Sequence, residues 1–573
     1  MQIIKSFIKL FVFICPVAGF AQSTYLNQGS KDYHFIDRLE IKQQTNTDLN
    51  FSTLKPYNRK YIIQEAGFLD SARFGYTDST GMDKYKEWTD LDLTPVDEYN
   101  MQSLFMNNSE WYKGSQEDFA SRKPVLKAFY KTKTNFYEVN TRDFFLAVNP
   151  VLQLSFGKEQ DNDEALYFNS RGVTVRGMIG KKVGFSAYMT ENQERGPTYF
   201  KEIVGGLRAV PGVGFYKLFK KQGVDYFDAR GYITFNAAKY IDFQLGYDKN
   251  FIGNGYRSLF LSDFGNSYLF AKINTRIWKF NYQNIFMELM PQFTKKGDSL
   301  LPRKYAAMHH LSMNVTRWLN VGLFEGIVFG RKDHFDFQYL NPLIFYRHIE
   351  GTVGSPDNAL AGLDFKANVA HRLQFYGQFL LDEFKLDKIK ENKGWWANKW
   401  ALQLGGKYVD AFGVKNLDLQ GEINRVRPYT YSHNDTVANY THYNQPLAHP
   451  LGSNFNELVG IINYQPAPKW YIYARAIFYE KGLDSAGYNA GGNIFRDNDE
   501  KFGIIEGYEV AGGKKLTVLN AQLSLSYEFR QNLFIDASIQ QRNYKIEGIA
   551  GSTQSTFATL GVRLNMFRRQ YDY

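Results

Sequence analysis

The chain has 573 residues, a formal net charge of +10, a mean hydropathy of −0.41 and 17% aromatic residues, with 48 Phe and 40 Tyr. No stretch beyond residue 21 supplies the roughly 20 consecutive apolar residues that a spanning helix needs, which excludes a helical inner-membrane protein. The one cysteine, Cys15, lies in the extreme N-terminal segment, so disulfides and thiolate metal centres are excluded from everything that follows it. The positive balance permits attraction to acidic polymers or lipids and has no bearing on fold.

Met1 to Ala21 carries Lys5 and Lys9, an apolar run from Leu10 to Ile14 and the small-x-small sequence Gly19-Phe20-Ala21. This pattern predicts a secretory signal peptide over 1–21, cleaved before Gln22. Residues 22–140 then show apolar spacing near 3.6 and are expected to form a periplasmic helical region. Tyr33, Ile36 and Leu39 mark one helix, and Ile62, Ala66 and Leu69 a second. Thr94-Pro95, an N-cap followed by proline at the first helical position, opens a third with Tyr99 and Leu104. The alternative, a mixed α/β plug inside a 22-stranded barrel, asks for a longer chain.

From about residue 141 to 573 the period falls to two. Leu519, Ala521, Leu523, Leu525, Tyr527 and Phe529 alternate with Asn520, Gln522, Ser524, Ser526 and Glu528. Leu533 to Arg542 and Ala558 to Met566 repeat the pattern, each about ten residues long, the length of a tilted strand crossing a bilayer. A soluble antiparallel sheet with one wet face alternates in the same way. Tyr527, Phe529, Trp470, Trp400 and Tyr408 fall at strand ends, where aromatic side chains anchor at the headgroup level, and this favours the membrane. Short breaks such as Gly180 to Val183, Gln465 to Lys469 and Arg530 to Asn532 alternate with long segments such as Asn192 to Arg230, Arg331 to Asn358 and Pro428 to Phe455. The short breaks are expected at the periplasmic end. The expected fold is therefore all-β, a transmembrane antiparallel β-barrel of about 18 strands in the outer membrane, surrounded by outer-membrane lipid. Nucleic acid is not an expected partner.

Four runs depart from the strand-and-turn rhythm: YHFIDRLEIK (Tyr33 to Lys42), FIGNGYRSLFLSDF (Phe251 to Phe264), NPLIFYRHIEG (Asn341 to Gly351) and GSPDNALAGLDF (Gly354 to Phe365). In this order they resemble the Wzi-type capsule-assembly family of outer-membrane proteins, and within it the gliding-motility branch, the RemB-like proteins. The resemblance covers nearly the whole chain after the signal peptide. It implies an 18-stranded barrel with periplasmic helices, no catalysis, and a role in holding or organising exopolysaccharide at the cell surface, with other envelope or motility proteins as further partners.

Physically, the runs suit loops folded into the barrel mouth, with Gly253, Asn254 and Gly255 allowing positive φ and a tight turn. A lumen network is expected from Asp263, Asn341, Arg347 and Asp364, pairing Arg257 with Asp263 and Arg347 with Glu350 or Asp364. The alternative to that pairing is that Arg257 binds the carboxylates of an acidic sugar, with Trp395, Trp396, Tyr429 and Tyr431 as candidates for stacking on sugar rings. Lys217, Lys220 and Lys221, with Arg195 and Arg208 nearby, predict a basic outer face suited to an anionic surface polysaccharide. Among nine histidines no spacing carries a mechanism, and neither G-x-S-x-G nor H-E-x-x-H occurs, so no enzyme and no cofactor is expected. Asp161 to Glu164 and Asp497 to Glu500, both Asp-Asn-Asp-Glu, offer oxygen ligands but lack the EF-hand pattern and are expected as solvated loops, with no metal. Two function classes remain: polysaccharide attachment, and a diffusion channel, which barrel size alone favours.

Overall fold

The computed structural model describes residues 23–573 apart from 47, 74–90, 221, 292–299, 333, 344, 355 and 500–502. The expected signal peptide, Lys221 and Glu500 lie outside the described residues. Eighteen long strands, among the described residues, close into an antiparallel barrel. They are Phe144–Glu159 (β1), Ala165–Ile179 (β2), Val183–Arg195 (β3), Gly223–Ala238 (β4), Ile241–Asp248 (β5), Tyr268–Ile277 (β6), Phe280–Leu289 (β7), Lys304–Asn314 (β8) and Leu319–Phe329 (β9). The second half comprises Asn358–Val369 (β10), Leu373–Glu383 (β11), Lys399–Tyr408 (β12), Leu417–Val426 (β13), Phe455–Ala467 (β14), Trp470–Leu483 (β15), Lys514–Arg530 (β16), Leu533–Ile546 (β17) and Thr553–Leu564 (β18). Closure pairs β18 with β1 from Phe557↔Glu159 to Leu564↔Leu152. Below Leu152 the edge of β1 is covered by the short strand Tyr137–Asn140, so no ladder is left open there.

The period of two sets the faces. Leu519, Leu523, Leu525, Ile535, Ile539 and Leu560 point outward and are exposed, whereas Asn520, Ser524, Ser526 and Gln540 are buried inside. This is the apolar-out, polar-in alternation of a transmembrane barrel. At the long-loop end the inner face turns apolar as well, because loops fold back onto it: Leu516, Val518, Ala306, Met308 and Phe324 join one buried cluster with Leu259, Phe260 and Leu261. Pro466, expected in a turn, lies within β14. The ladder to β15 shifts between Tyr464 and Ala467, which accommodates a residue with no N–H to donate.

Among the described residues three helices precede the barrel: Asp32–Gln43 (α1), Arg59–Arg73 (α2) and Pro95–Asn107 (α3). Thr94 caps α3 in a capping box with Asp97, as its sequence predicts. Phe35, Ile36, Leu39, Ile62, Ala66, Leu104 and Phe105 form their shared core. The opposite side of α1 is charged and docks on the short turns of the barrel. Arg38 bonds Asp97 at 3.0 Å, Asp410 at 3.1 Å and also Asp418, while Lys42 bonds Asp97 at 2.8 Å and Asp410 at 2.9 Å. Glu40 reaches Lys366 of β10 at 2.7 Å. Burial alone would raise the Asp97 carboxyl, but the bonded Arg38 and Lys42 charges hold it at about 2.

Arg331 to Asn358, expected to fold inward, instead packs against the outside of the wall. Tyr339, Tyr346 and Ile349, the last two in the helix Tyr346–Thr352, cover the outward-facing Tyr305, Ala307 and Phe329. The segment also closes over two polar groups that would otherwise face lipid: the Arg347 amide donates to Glu325 at 3.2 Å, and the Tyr346 hydroxyl meets His309. A bare polar group at membrane depth is costly, and this cover removes the cost. Leu343 and Phe345 remain 86% and 74% exposed on its outer side.

Candidate functional site

The lumen is occupied. Phe251–Ile252 pairs antiparallel with Leu54–Lys55, which ties the segment between β5 and β6 to the N-terminal region inside the barrel. Gly255 then passes so close to Glu422 on β13 that a Cβ there would collide with the carboxylate. Close approach, rather than the positive φ expected from the sequence, is what calls for glycine here. The same carboxylate accepts from the amides of Tyr256 at 2.7 Å and Arg257 at 3.1 Å and from the Tyr376 hydroxyl at 2.9 Å. Beyond it Phe260 stacks on Phe324 with ring centres 4.5 Å apart. The hydroxyls of Tyr431 and Tyr440, in the loop after β13, donate to the carbonyls of Leu259 and Phe260 at 2.8 and 2.7 Å.

Residues 565–573 complete the filling. Asn565, in the left-handed region at φ 52°, turns the chain inward after β18. Arg569 then pairs with Glu194 at 3.1 Å, and the Tyr571 carbonyl accepts from Tyr199 at 2.9 Å and Gln540 at 2.6 Å. Asp572 meets the in-folded segment, accepting from Tyr256 at 2.5 Å and Arg257 at 2.9 Å.

The expected site residues separate. Arg257 is buried and lies 3.5 Å from Glu457 in addition to its Asp572 bond, so its partner is not Asp263 and its guanidinium is not on the surface. Asp364 does face the lumen, but its partner is His310 at 2.7 Å rather than Arg347. Arg347 pairs with Glu350 at 2.6 Å, 71% exposed on the outer wall, and Asn341 lies in the same outer segment, so neither belongs to a lumen network. Asp263 lines a lumen cavity.

At the long-loop end, Lys217 lies in the exposed strand Lys217–Phe219, paired with β4, and Lys220 in the turn that follows is also exposed. Trp395 and Trp396 occupy the loop between β11 and β12, eight strands round an 18-stranded barrel, so the two candidate surfaces face each other across the mouth. Both tryptophans are half-buried, with Trp396 5.6 Å from Tyr429 and Lys399 5.3 Å above the Trp396 ring. Gly394, at φ 67°, sets them there, since a Cβ at that position would lie 2.8 Å from the Tyr508 backbone. Tyr429 and Tyr431 lie on the loop after β13, as expected, but are buried there.

Sequence reasoning missed Lys55, Lys249, Arg475 and Asp572. Burial brings the Lys55 amine down to about 8, with Asp37 opposing. Arg475 was visible as a charge on the polar face of a strand, the signal that could have placed it inside.

No protein-family model and no curated protein matches the sequence. Among solved structures the chain is similar to Wzi of Escherichia coli, an outer-membrane protein involved in group 1 capsule assembly and a carbohydrate-binding β-barrel. The identity is 12%, the match covers 95% of this chain and 100% of that one, and the TM-score is 0.56. The outer-membrane protein OprD of Pseudomonas aeruginosa also matches, at 12% identity over 73% of this chain and 93% of that one, with a TM-score of 0.40. What this chain shares with Wzi is its fold, and a closed 18-stranded barrel with an apolar exterior belongs in the outer membrane.

Proposed function

We propose that this chain is a non-enzymatic outer-membrane barrel that attaches or organises surface polysaccharide, capsular in kind, at its long-loop face, with residues 22–140 on the periplasmic side. The observation that carries this reading is the filled lumen. Phe251 to Phe264 and residues 565–573 occupy the space through which a barrel of this size would otherwise conduct, leaving the loop face as the working surface. The shared fold with a carbohydrate-binding capsule-assembly barrel supports it, and the sequence resemblance adds a contribution to gliding motility. A diffusion channel draws support from strand number alone.

Lys217 and Lys220 on one side of the mouth, together with Lys221 next to them in sequence, would meet the acidic groups of the polymer, and Trp395 and Trp396 on the other side would pack against its rings. Changing the three lysines to glutamate is expected to leave the barrel in the membrane at its normal level while surface polymer is shed. The defect should be mimicked by raised salt, since exposed charges more than about 10 Å apart are screened at 0.1 M. Cell-bound polymer is the measurement, and unchanged retention removes the electrostatic part of the proposal. A double change of Trp395 and Trp396 to alanine reads the stacking part separately.

A further inference from the structure

Between α1, the in-folded segment and residues 566–573 lies a cavity of about 580 Å3, within the roughly 300–1,000 Å3 range of pockets that hold small ligands. Its wall carries nine lysines and arginines against four aspartates. Lys31, Arg569, and Arg563 with Arg568 are neutralised from behind, by Glu528, Glu194 and Asp536 respectively. Lys55 and Lys249 have no carboxylate within 4 Å among the described residues. Lys249 donates to the carbonyls of Gly212 at 2.7 Å and Asp263 at 3.1 Å, and the Lys55 amine lies 4.8 Å from the centre of the Phe251 ring. Arg568 Nε and Arg569 Nη2 are buried and donate to nothing among the described residues. Tyr256, Tyr471 and Tyr473 add aromatic faces to the wall. A second cavity shares Lys31, Arg230 and Arg563 with the first and extends along Asn107, Ala147 and Asn532, at the short-turn end.

We propose that this chamber is a binding site for a short acidic saccharide that enters from the short-turn end. Carboxylates on the sugar would pair with Lys55 and Lys249, and tyrosine faces would pack on its rings, the combination that distinguishes an acidic sugar from a simple anion. Entry from the long-loop side is blocked by the packed cluster around Phe260 and Tyr440. The site is separate from the loop face, and its assignment does not rest on surface attachment.

The chain has no cysteine after Cys15, so a single new thiol can report on the chamber. In the purified full chain, Asn463→Cys, on the chamber wall, is modified with a sulfonate-bearing and with a trimethylammonium-bearing methanethiosulfonate. The anionic reagent is expected to react about tenfold faster or more, relative to the two rates on free cysteine, because a cleft with an excess of positive charge concentrates anions. Trigalacturonate should slow the reaction, and maltotriose and inorganic phosphate should not. Adding Lys55→Gln and Lys249→Gln should remove both the charge preference and the protection. A thiol unreactive to both reagents, absence of charge preference, or absence of protection by trigalacturonate in the otherwise unaltered N463C chain would each overturn the proposal. Equal protection by maltotriose or by phosphate would overturn the acidic-saccharide assignment. Polymer retention on cells plays no part in the readout, so failure here leaves the surface reading standing.

Discussion

Replacing Arg38 by alanine is expected to destabilise the docking of the N-terminal helices on the barrel by about 3 to 5 kcal/mol, the usual result of removing one partner from a buried ion network. Arg38 is 3% exposed and holds Asp97, Asp410 and Asp418 together, and without it Lys42 is left as the cation bonded to two of the three carboxylates. Hydrogen exchange in α1 and the denaturant midpoint of the intact chain measure the loss. The effect carries a pH signature. Asp97 is held at about 2, below the ordinary aspartate value near 3.9, so its contribution is complete above that ordinary value and is lost as pH falls through about 2. In the alanine variant the Asp97 carboxyl should rise toward its ordinary range, and acid undocking should begin at a higher pH. Exchange protection in α1 that matches the unaltered chain at neutral pH would show that these contacts do not hold the helices in place.

Arginine in place of Leu523 is expected to cost about 2 to 4 kcal/mol if that side chain sits near the bilayer midplane, and the same change at Ser524 much less. Leu523 is 51% exposed on the outer wall, whereas Ser524 is 1% exposed on the lumen side of the same strand. The neighbours agree in direction, with Leu525 and Leu560 outside and Gln522 and Gln540 inside. Refolding into lipid vesicles with a denaturant titration reads both costs. Equal tolerance at the two positions would mean that the lipid-facing register of β16 is wrong.

That register was legible because the wall of a barrel asks each strand for one thing on one side and another on the other. Leu519 to Phe529 states it directly, and the Thr94 cap and short turns such as Gly180 to Val183 and Arg530 to Asn532 follow from equally local chemistry. Tertiary choices were less legible. Asn341 to Gly351 mixes apolar and charged residues, and nothing local says whether such a segment packs inside or outside a wall. The deciding fact is His309 and Glu325 facing outward at membrane depth, polar groups that require a cover. Arg38, Glu40 and Lys42 look like the solvated side of an amphipathic helix and are buried, because the barrel turns supply Asp410 and Asp418 and β10 supplies Lys366. Arg257 was rightly singled out, yet its partner Asp572 stands 315 residues away and reaches it only because Asn565 reverses the chain. The candidate surface residues Lys217, Lys220, Trp395 and Trp396 are placed at the mouth, and only a binding measurement gives them a role.

The proposed role of this barrel is to hold polymer at the cell surface. A strain lacking the chain, compared with the same strain carrying it on a plasmid, tests that most directly through the partition of polysaccharide between cells and medium. Total polymer should be equal in the two, with most of it shed where the chain is absent and retained where it is restored. Equal retention in both strains would mean that the barrel does not hold the polymer.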